Sequence, residues 1–277
     1  MKIFAHLLLA SSLALLSGCS SIRLAYDNAD ALILWRASSY FDFQGEQAAE
    51  LERRIAAYHA WHRAKVLPQV AQLAEDAAQR IERGLTRGDI DRIYAAVEAQ
   101  VRVSVRAGAV EAAPLLDRLE PAQLAHFERR LGEENRTFAK EHLRGTFEER
   151  KKRRLKRVLE RLEDWTGKLT EEQVIRVRRY NDSAPMLNEL RDRDRKRLQS
   201  ELLSMLRARE AGKRLPEWAS HWDRNRDPNY SSAFRQARAA YIDLLLDLYP
   251  TLSAEQKASA ASRMRGLAAD FEHLARR

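Results

Sequence analysis

Apolar residues recur at intervals of three and four along nearly the whole chain, and no stretch alternates with the period of two that a half-buried strand shows. Leu51, Ile55, Tyr58 and His62 share one face of a helix predicted over residues 47–82, and Val70, Leu73, Ala77 and Ile81 continue it beyond Pro68. A proline inside such a pattern kinks or divides it. Ile93, Val97, Val101 and Val105 form the stripe of a helix from Asp89 to near Pro114. Leu124, Phe127, Leu131 and Phe138 mark one from Pro121, and Leu155, Leu159, Leu162 and Trp165 one over 147–167. A short helix follows to about Tyr180, then a long one from Pro185 with Leu187, Leu190, Leu198, Leu202 and Met205, ended by Gly212. Phe234, Ala237, Tyr241, Leu244 and Leu248 belong to a penultimate helix, and Ala261, Met264, Leu267, Phe271 and Leu274 to the last. Residues 213–232, with Pro216, Trp218, Trp222 and Pro228, are the least regular and predict a long connection. Ahead of all these, Leu32, Ile33, Leu34 and Trp35 give residues 31–40 an apolar character suited to packing on the body or lying near lipid. The expectation is an all-α protein, an elongated bundle of seven to nine helices in hairpins with coiled-coil-like packing, each stripe requiring a partner helix.

Helix starts carry a degenerate repeat. Its clearest copies are Leu169-Thr170-Glu171-Glu172-Gln173, Leu252-Ser253-Ala254-Glu255-Gln256 and Leu119-Glu120-Pro121-Ala122-Gln123, with weaker ones at Phe43 to Gln47 and Leu85 to Asp89. Thr170 or Ser253 is placed to cap, the glutamine three residues on to reach back to the cap, and the leading apolar residue to staple the entry. The copies lie at unequal separations, which argues for hairpins and against a solenoid of fixed period.

Composition agrees with helix. Ala, Leu, Arg and Glu dominate, while 277 residues hold only 10 glycines and 7 prolines. The single cysteine, Cys19, changes the picture. Lys2, the apolar run Ile3 to Leu16, and Leu16-Ser17-Gly18-Cys19 have the order of a lipoprotein signal with its lipobox. The residue types fit that processing: small Ser17 and Gly18 admit the backbone to a peptidase cutting after Gly18, and Cys19 becomes the diacylated N-terminus. Two or more acyl chains give stable anchoring. The organisation expected is a signal peptide at 1–18, a tether at 19–28 and a helical body at 29–277, with a subdivision allowed near 168–170. Ser20, where aspartate would favour the inner membrane, points to the periplasmic face of the outer membrane.

The 49 basic residues exceed the 40 acidic ones by 9, with the two signs interspersed as on solvated helix faces. The exception is the run Lys151, Lys152, Arg153, Arg154, Lys156 and Arg157, a candidate for an anionic partner, and a diluted second region spans Arg176 to Arg197. Such runs suit nucleic acid in other settings, but the lipobox directs them to lipid headgroups or acidic envelope components, so no nucleic-acid partner is expected. Trp218 and Trp222 are candidate partner-binding aromatics, four apart beside Arg224 and Arg226. His59 and His62 lie three apart without the further ligands a zinc site needs; Asn135 and His142 are polar members of the stripe of Leu131 and Phe138. No phosphate loop, nucleophile elbow or paired carboxylates stand out, and neither an enzyme, a metal nor a cofactor is expected.

Leu169-Thr170-Glu171-Glu172-Gln173 is similar to the L-T-x-x-Q motif of the small helical periplasmic chaperones of the Spy and CpxP type, which implies binding of unfolded envelope proteins on a basic, partly apolar surface. The chain as a whole resembles an uncharacterised family of proteobacterial lipoproteins. The likeness rests on the lipobox, Trp35 with Tyr40-Phe41-Asp42, Tyr58 to Arg63, Asn135-Arg136-Thr137-Phe138, and the basic helix leading to Trp165 and Leu169-Thr170. It implies location and helical fold and no activity. The functional expectation is a lipid-anchored, non-enzymatic helical protein that binds another envelope component, with chaperone-like behaviour as one form and tethering to anionic lipid or cell wall as the alternative.

Overall fold

A computed structural model describes residues 20–277. Cys19, Gly18 and the signal read at 1–18 lie outside the described residues. Within them, twelve α-helices are joined by short turns with no strand: α1 Ser20–Asp27, α2 Ala29–Phe41, α3 Gly45–Lys65, α4 Leu67–Arg83, α5 Arg87–Leu116, α6 Pro121–Phe138, α7 Phe147–Thr166, α8 Glu171–Ser183, α9 Asn188–Arg207, α10 Ala211–Ser220, α11 Pro228–Leu248 and α12 Ala254–Ala275. A π-helical turn, Ala139–Leu143, follows α6, and a 3-10 turn, Tyr249–Thr251, precedes α12.

The all-α expectation holds, but twelve helices replace seven to nine. The residues read as a tether are largely α1, which is docked on the body: Arg23 Nε donates to the buried Asp270 of α12 at 2.5 Å. Helices of two to four turns offer too few repeats for periodicity to register. Pro68 does divide the second predicted helix, at Val66 between α3 and α4. Pro114, by contrast, is carried inside α5, which runs on to Leu116.

The expected long connection at 213–232 is also mostly helix. The reason is tertiary. Asp117, at the end of α5, accepts hydrogen bonds from the N–H groups of Ala211 (2.6 Å) and Gly212 (2.8 Å), so a distant carboxylate caps α10. Gly212 therefore opens a helix, where it was expected to close one. A Cβ there would stand 3.0 Å from Asp117 Oδ2, so the missing side chain lets the carboxylate approach. Helix α9 ends earlier, at left-handed Arg209 (φ 54°), with the Glu210 N–H bonded to Met205 O at 3.1 Å.

Packing forms two apolar clusters and a seam. The first joins Leu51 and Ile55 of α3, Ala109, Ala113, Leu115 and Leu116 of α5, Phe127 of α6, Met205 and Leu206 of α9, and Leu215 of α10. The second joins Leu162, Leu169, Val177, Leu244 and Leu248 from α7, α8 and α11. Helices α4 and α12 share the seam, where Ala71, Ala74, Ala77 and Ala78 lie buried on one side and Ala260, Ala261 and Ala268 on the other; short side chains let the two helices close. Not every stripe found a partner. Val97 and Val101 of α5 remain exposed, because α5 is packed along only part of its length.

The degenerate repeat proves to be paired. Gln173 Nε2 donates to Gln256 Oε1 and to Thr251 O, both at 2.9 Å, while Gln256 Nε2 donates to Gln173 Oε1 and Lys168 O, both at 3.1 Å. Gln123 and Gln47 repeat the arrangement: Gln123 Nε2 reaches Gln47 Oε1 (2.8 Å) and Asp42 O (3.3 Å), and Gln47 Nε2 lies 3.5 Å from Arg118 O. Each glutamine thus bonds its partner's amide and the carbonyl just before the partner's motif. The fifth copy has aspartate instead. Asp89, buried beneath Thr86, Arg80 and Arg92, is held down to a pKa of about 2, chiefly by the Thr86 hydroxyl and N–H.

Candidate functional site

The basic run divides around α7. Arg154 turns inward and becomes a structural clamp, donating to Asn181 Oδ1 (2.9 Å), Asn181 O (2.5 Å), Ala184 O (3.1 Å) and Pro185 O (2.8 Å), which satisfies the C-terminal end of α8. Burial holds its pKa below the usual arginine value. Lys151 pairs with Asp182 at 3.0 Å, Lys156 with Glu160 at 3.7 Å, and Arg153 bonds Arg144 O. Lys152 and Arg157 stay exposed, with no ion-pair partner among the described residues. The run is therefore no continuous cationic stripe.

The two tryptophans also part. Trp218 packs against the first cluster and donates Nε1–H to Glu201 at 3.0 Å, anchoring α10 to α9. Trp222, in the turn after α10, lies under the guanidinium of Arg102, 4.7 Å from the ring centre. His59 and His62 face α1 and the start of α2, where His59 Nδ1 meets Asp30 of α2 at 2.7 Å and His62 Nδ1 meets the Tyr26 hydroxyl of α1 at 2.9 Å. Burial pushes the Tyr26 hydroxyl up to about 12, and burial followed by the charge of His59 pushes His62 down. Among the described residues no three His, Cys, Asp or Glu side chains are placed to hold a metal ion.

What the fold does bring together is a cleft of about 720 Å³ between the end of α6, α9, the α10–α11 turn and α11. Arg157, Arg191, Arg195 and Arg226 line it, with Phe138, His142, Trp222, Tyr230 and Phe234 as its aromatic walls. Arg195 lies 4.5 Å and Arg191 5.6 Å from the centre of the Phe138 ring; Arg226 lies 4.7 Å from Phe234 and 5.3 Å from Tyr230. Stacking on rings restrains long side chains without consuming their charge. Asn135 accepts from Arg195 Nη2 at 2.5 Å and donates to Gln199 at 2.8 Å, which orients Arg195. The Arg195 Nε–H is buried with no acceptor among the described residues.

The balance of charge is uneven. Asp194 is the one carboxylate among the residues lining the cleft, and it is buried and already engaged by Arg197 (2.9 Å) and the Asp227 N–H (2.8 Å). None of the four arginines of the cleft pairs with a carboxylate among the described residues. Guanidinium forks suit phosphate or carboxylate groups, bound bidentately.

Sequence reasoning singled out Arg157, Trp222, Asn135 and His142 separately and missed their convergence. A signal was present: Leu187, Arg191, Arg195 and Leu198 follow one helical stripe, so two arginines occupy positions where the pattern calls for apolar residues. Tyr230 falls within the presumed connection and Phe234 on the helix after it, and nothing local points either of them at the cleft. A second cleft, of about 450 Å³ and almost wholly apolar, lies between α4, α5, α7, α11 and α12, lined by Ile81, Ile93, Val97, Trp165, Tyr241 and Met264 among others.

No curated protein and no solved structure matches the chain. Residues 39–219 match the model of a family of unknown function (DUF6279), a span that holds the first apolar cluster and most of the arginine cleft but stops short of Trp222, Arg226, Tyr230 and Phe234. Over that majority of its length, the chain belongs to this family of unknown function.

Proposed function

We propose that the protein is a lipid-anchored, non-enzymatic component of the periplasmic face of the outer membrane that binds an anionic envelope constituent in the arginine–aromatic cleft. The lipobox at Leu16 to Cys19 supports the location. The observation that carries the binding reading is four guanidinium groups, unpaired with carboxylates, on one aromatic-walled cleft. Phosphate or carboxylate groups on a lipid, glycolipid or acidic protein segment match that chemistry, and the bound anion would satisfy the Arg195 Nε–H.

The test is calorimetric titration of the Cys19→Ala chain with lipopolysaccharide phosphates and with anionic vesicles at rising salt. Binding that weakens with salt, and about tenfold or more on Arg191→Gln with Arg195→Gln, about 1.4 kcal/mol per tenfold, is the expected outcome. Equal binding by the double variant removes the cleft from the function. A chaperone-like reading is favoured by the apolar cleft and by the two paired Leu-Thr/Ser-x-x-Gln motifs. It predicts suppression of aggregation of an unfolded client, diminished by Val97→Asp at the cleft wall; no suppression at any ratio excludes it.

A further inference from the structure

Helices α1 and α2 form one two-faced rod. The backbone hydrogen-bond ladder passes through Asn28, whose N–H bonds Leu24 O (3.2 Å) and whose carbonyl accepts from the Leu32 N–H (3.1 Å). Its inner face is taken up by the body through Arg23 to Asp270, Tyr26 to His62, Asp30 to His59, and Leu34, Ala37, Tyr40 and Phe41 against the first cluster. The outer face is covered by nothing among the described residues. Leu24, Leu32 and Trp35 follow it at spacings of eight and three, 67%, 55% and 65% exposed, and Ile33, 41% exposed, flanks Leu32 on the side towards Tyr40 and Phe127.

Isolated exposed leucines need no explanation, but four large apolar side chains on one short rod do. Their surroundings indicate what covers them. The flanking charges are already neutralised within the chain: Asp27 by Arg277 (2.7 Å) and Arg63 (3.6 Å), and Arg36 by Glu134 (3.0 Å). A charged partner surface therefore finds little to pair with. Before the rod come an apolar run ending at Leu16 and the single cysteine, Cys19, immediately ahead of Ser20. At about 1.5 Å per helical residue, Trp35 lies only ~22 Å from Ser20, so a rod tethered there at a bilayer keeps its whole outer face within reach of that bilayer. Tryptophan at its far end has the ring type favoured at the boundary between headgroups and acyl chains.

We infer that the outer face of α1 and α2 lies in the lipid interface, with the rod parallel to the membrane, so that the protein is held at a fixed orientation rather than on a free leash. The inference rests on the reading of Cys19 as acylated for how the chain reaches the membrane. The acyl chains supply the anchoring, and the apolar face beside them fixes how the body lies against the bilayer.

The test uses the full chain purified from membranes and reconstituted in zwitterionic phosphatidylcholine vesicles, with and without bromine on the acyl chains. Subtracting the emission of Trp35→Phe isolates Trp35 from the other four tryptophans. Quenching of the Trp35 emission at least twofold by brominated lipid, unchanged between low and high salt and lost in Leu32→Ser with Ile33→Ser, supports the inference. Trp35 emission equal in both vesicle types overturns it, as does a dimer that Leu32→Ser dissolves, which would make the face an interface between copies. The mass of the N-terminal peptide reports acylation separately. Acyl mass with unquenched Trp35 defeats the inference alone; no acyl mass with quenched Trp35 defeats the anchor reading alone.

Discussion

Gln173 and Gln256 show how much a single side chain can be asked to do. Each oxygen accepts from the backbone N–H of its own cap, Thr170 or Ser253, at 3.0 Å, while each amide group crosses to the partner. Both residues are buried, so removing either leaves polar atoms of the other without water to replace the lost bonds. Gln173→Ala is expected to cost about 1–3 kcal/mol of stability, Gln256→Ala the same, and the double variant clearly less than their sum. Urea denaturation of the three variants checks this; additive losses would show that the two glutamines act independently. The capping half of each role was legible, because a cap and a glutamine three residues on is a local pattern. The pairing was not, since residues 83 apart meet only once the fold exists. Arg154 makes the same point in reverse. Its sequence neighbourhood is a basic run, yet its four acceptors all lie 27 to 31 residues away, which only the turn from α8 to α9 brings near.

Among elements, α1 is fastened through titratable groups. His62, tucked against the Tyr26 hydroxyl, is held below its ordinary value by burial and then by the charge of His59, which favours its neutral form. A histidine with a depressed folded-state pKa favours the docked state fully above its unfolded value of about 6.5, and that contribution is lost as pH falls through the folded value. Facing it from the neighbouring turns are His59 with Asp30, and Arg63, which shares Asp27 with Arg277. Amide protection across residues 20–41, taken relative to the intrinsic exchange rate at each pH, is therefore expected to fall below pH 6 relative to pH 7.5, with protection in α8 unchanged, and His62→Gln should flatten the response. Equal protection at both pH values would locate the fastening elsewhere. Long helices such as α5 and α12 were readable from their stripes. The short ones were not, and α10 least of all, because its start depends on Asp117 from another helix.

At the scale of the whole molecule, the arginine cleft is assembled from α6, α7, α9 and α11, four elements none of which carries it alone. A run of adjacent cations is conspicuous in sequence, whereas four arginines spaced from 157 to 226 converge only through packing. The alanine seam ties the same body together end to end, since α12 closes on α4 and also receives α1 and the end of α7. Removing α12, from Ala254 on, uncovers the buried alanines of α4, strips Arg23 of Asp270 and leaves Gln173 without its partner. Such a chain is expected to lose cooperative thermal unfolding altogether rather than to melt a few degrees lower, as differential scanning calorimetry would show; a sharp transition in the shortened chain would mean that the first apolar cluster suffices.

That seam also sets an order of events. A ribosome makes α4 long before α12, so α4 must wait, its alanine face open, for roughly 170 residues of further synthesis. The last helix to be made is the one that secures the first. This delay leaves Arg23 without its Asp270 partner until the remainder has been made, and a prematurely ended product keeps an uncovered seam along α4.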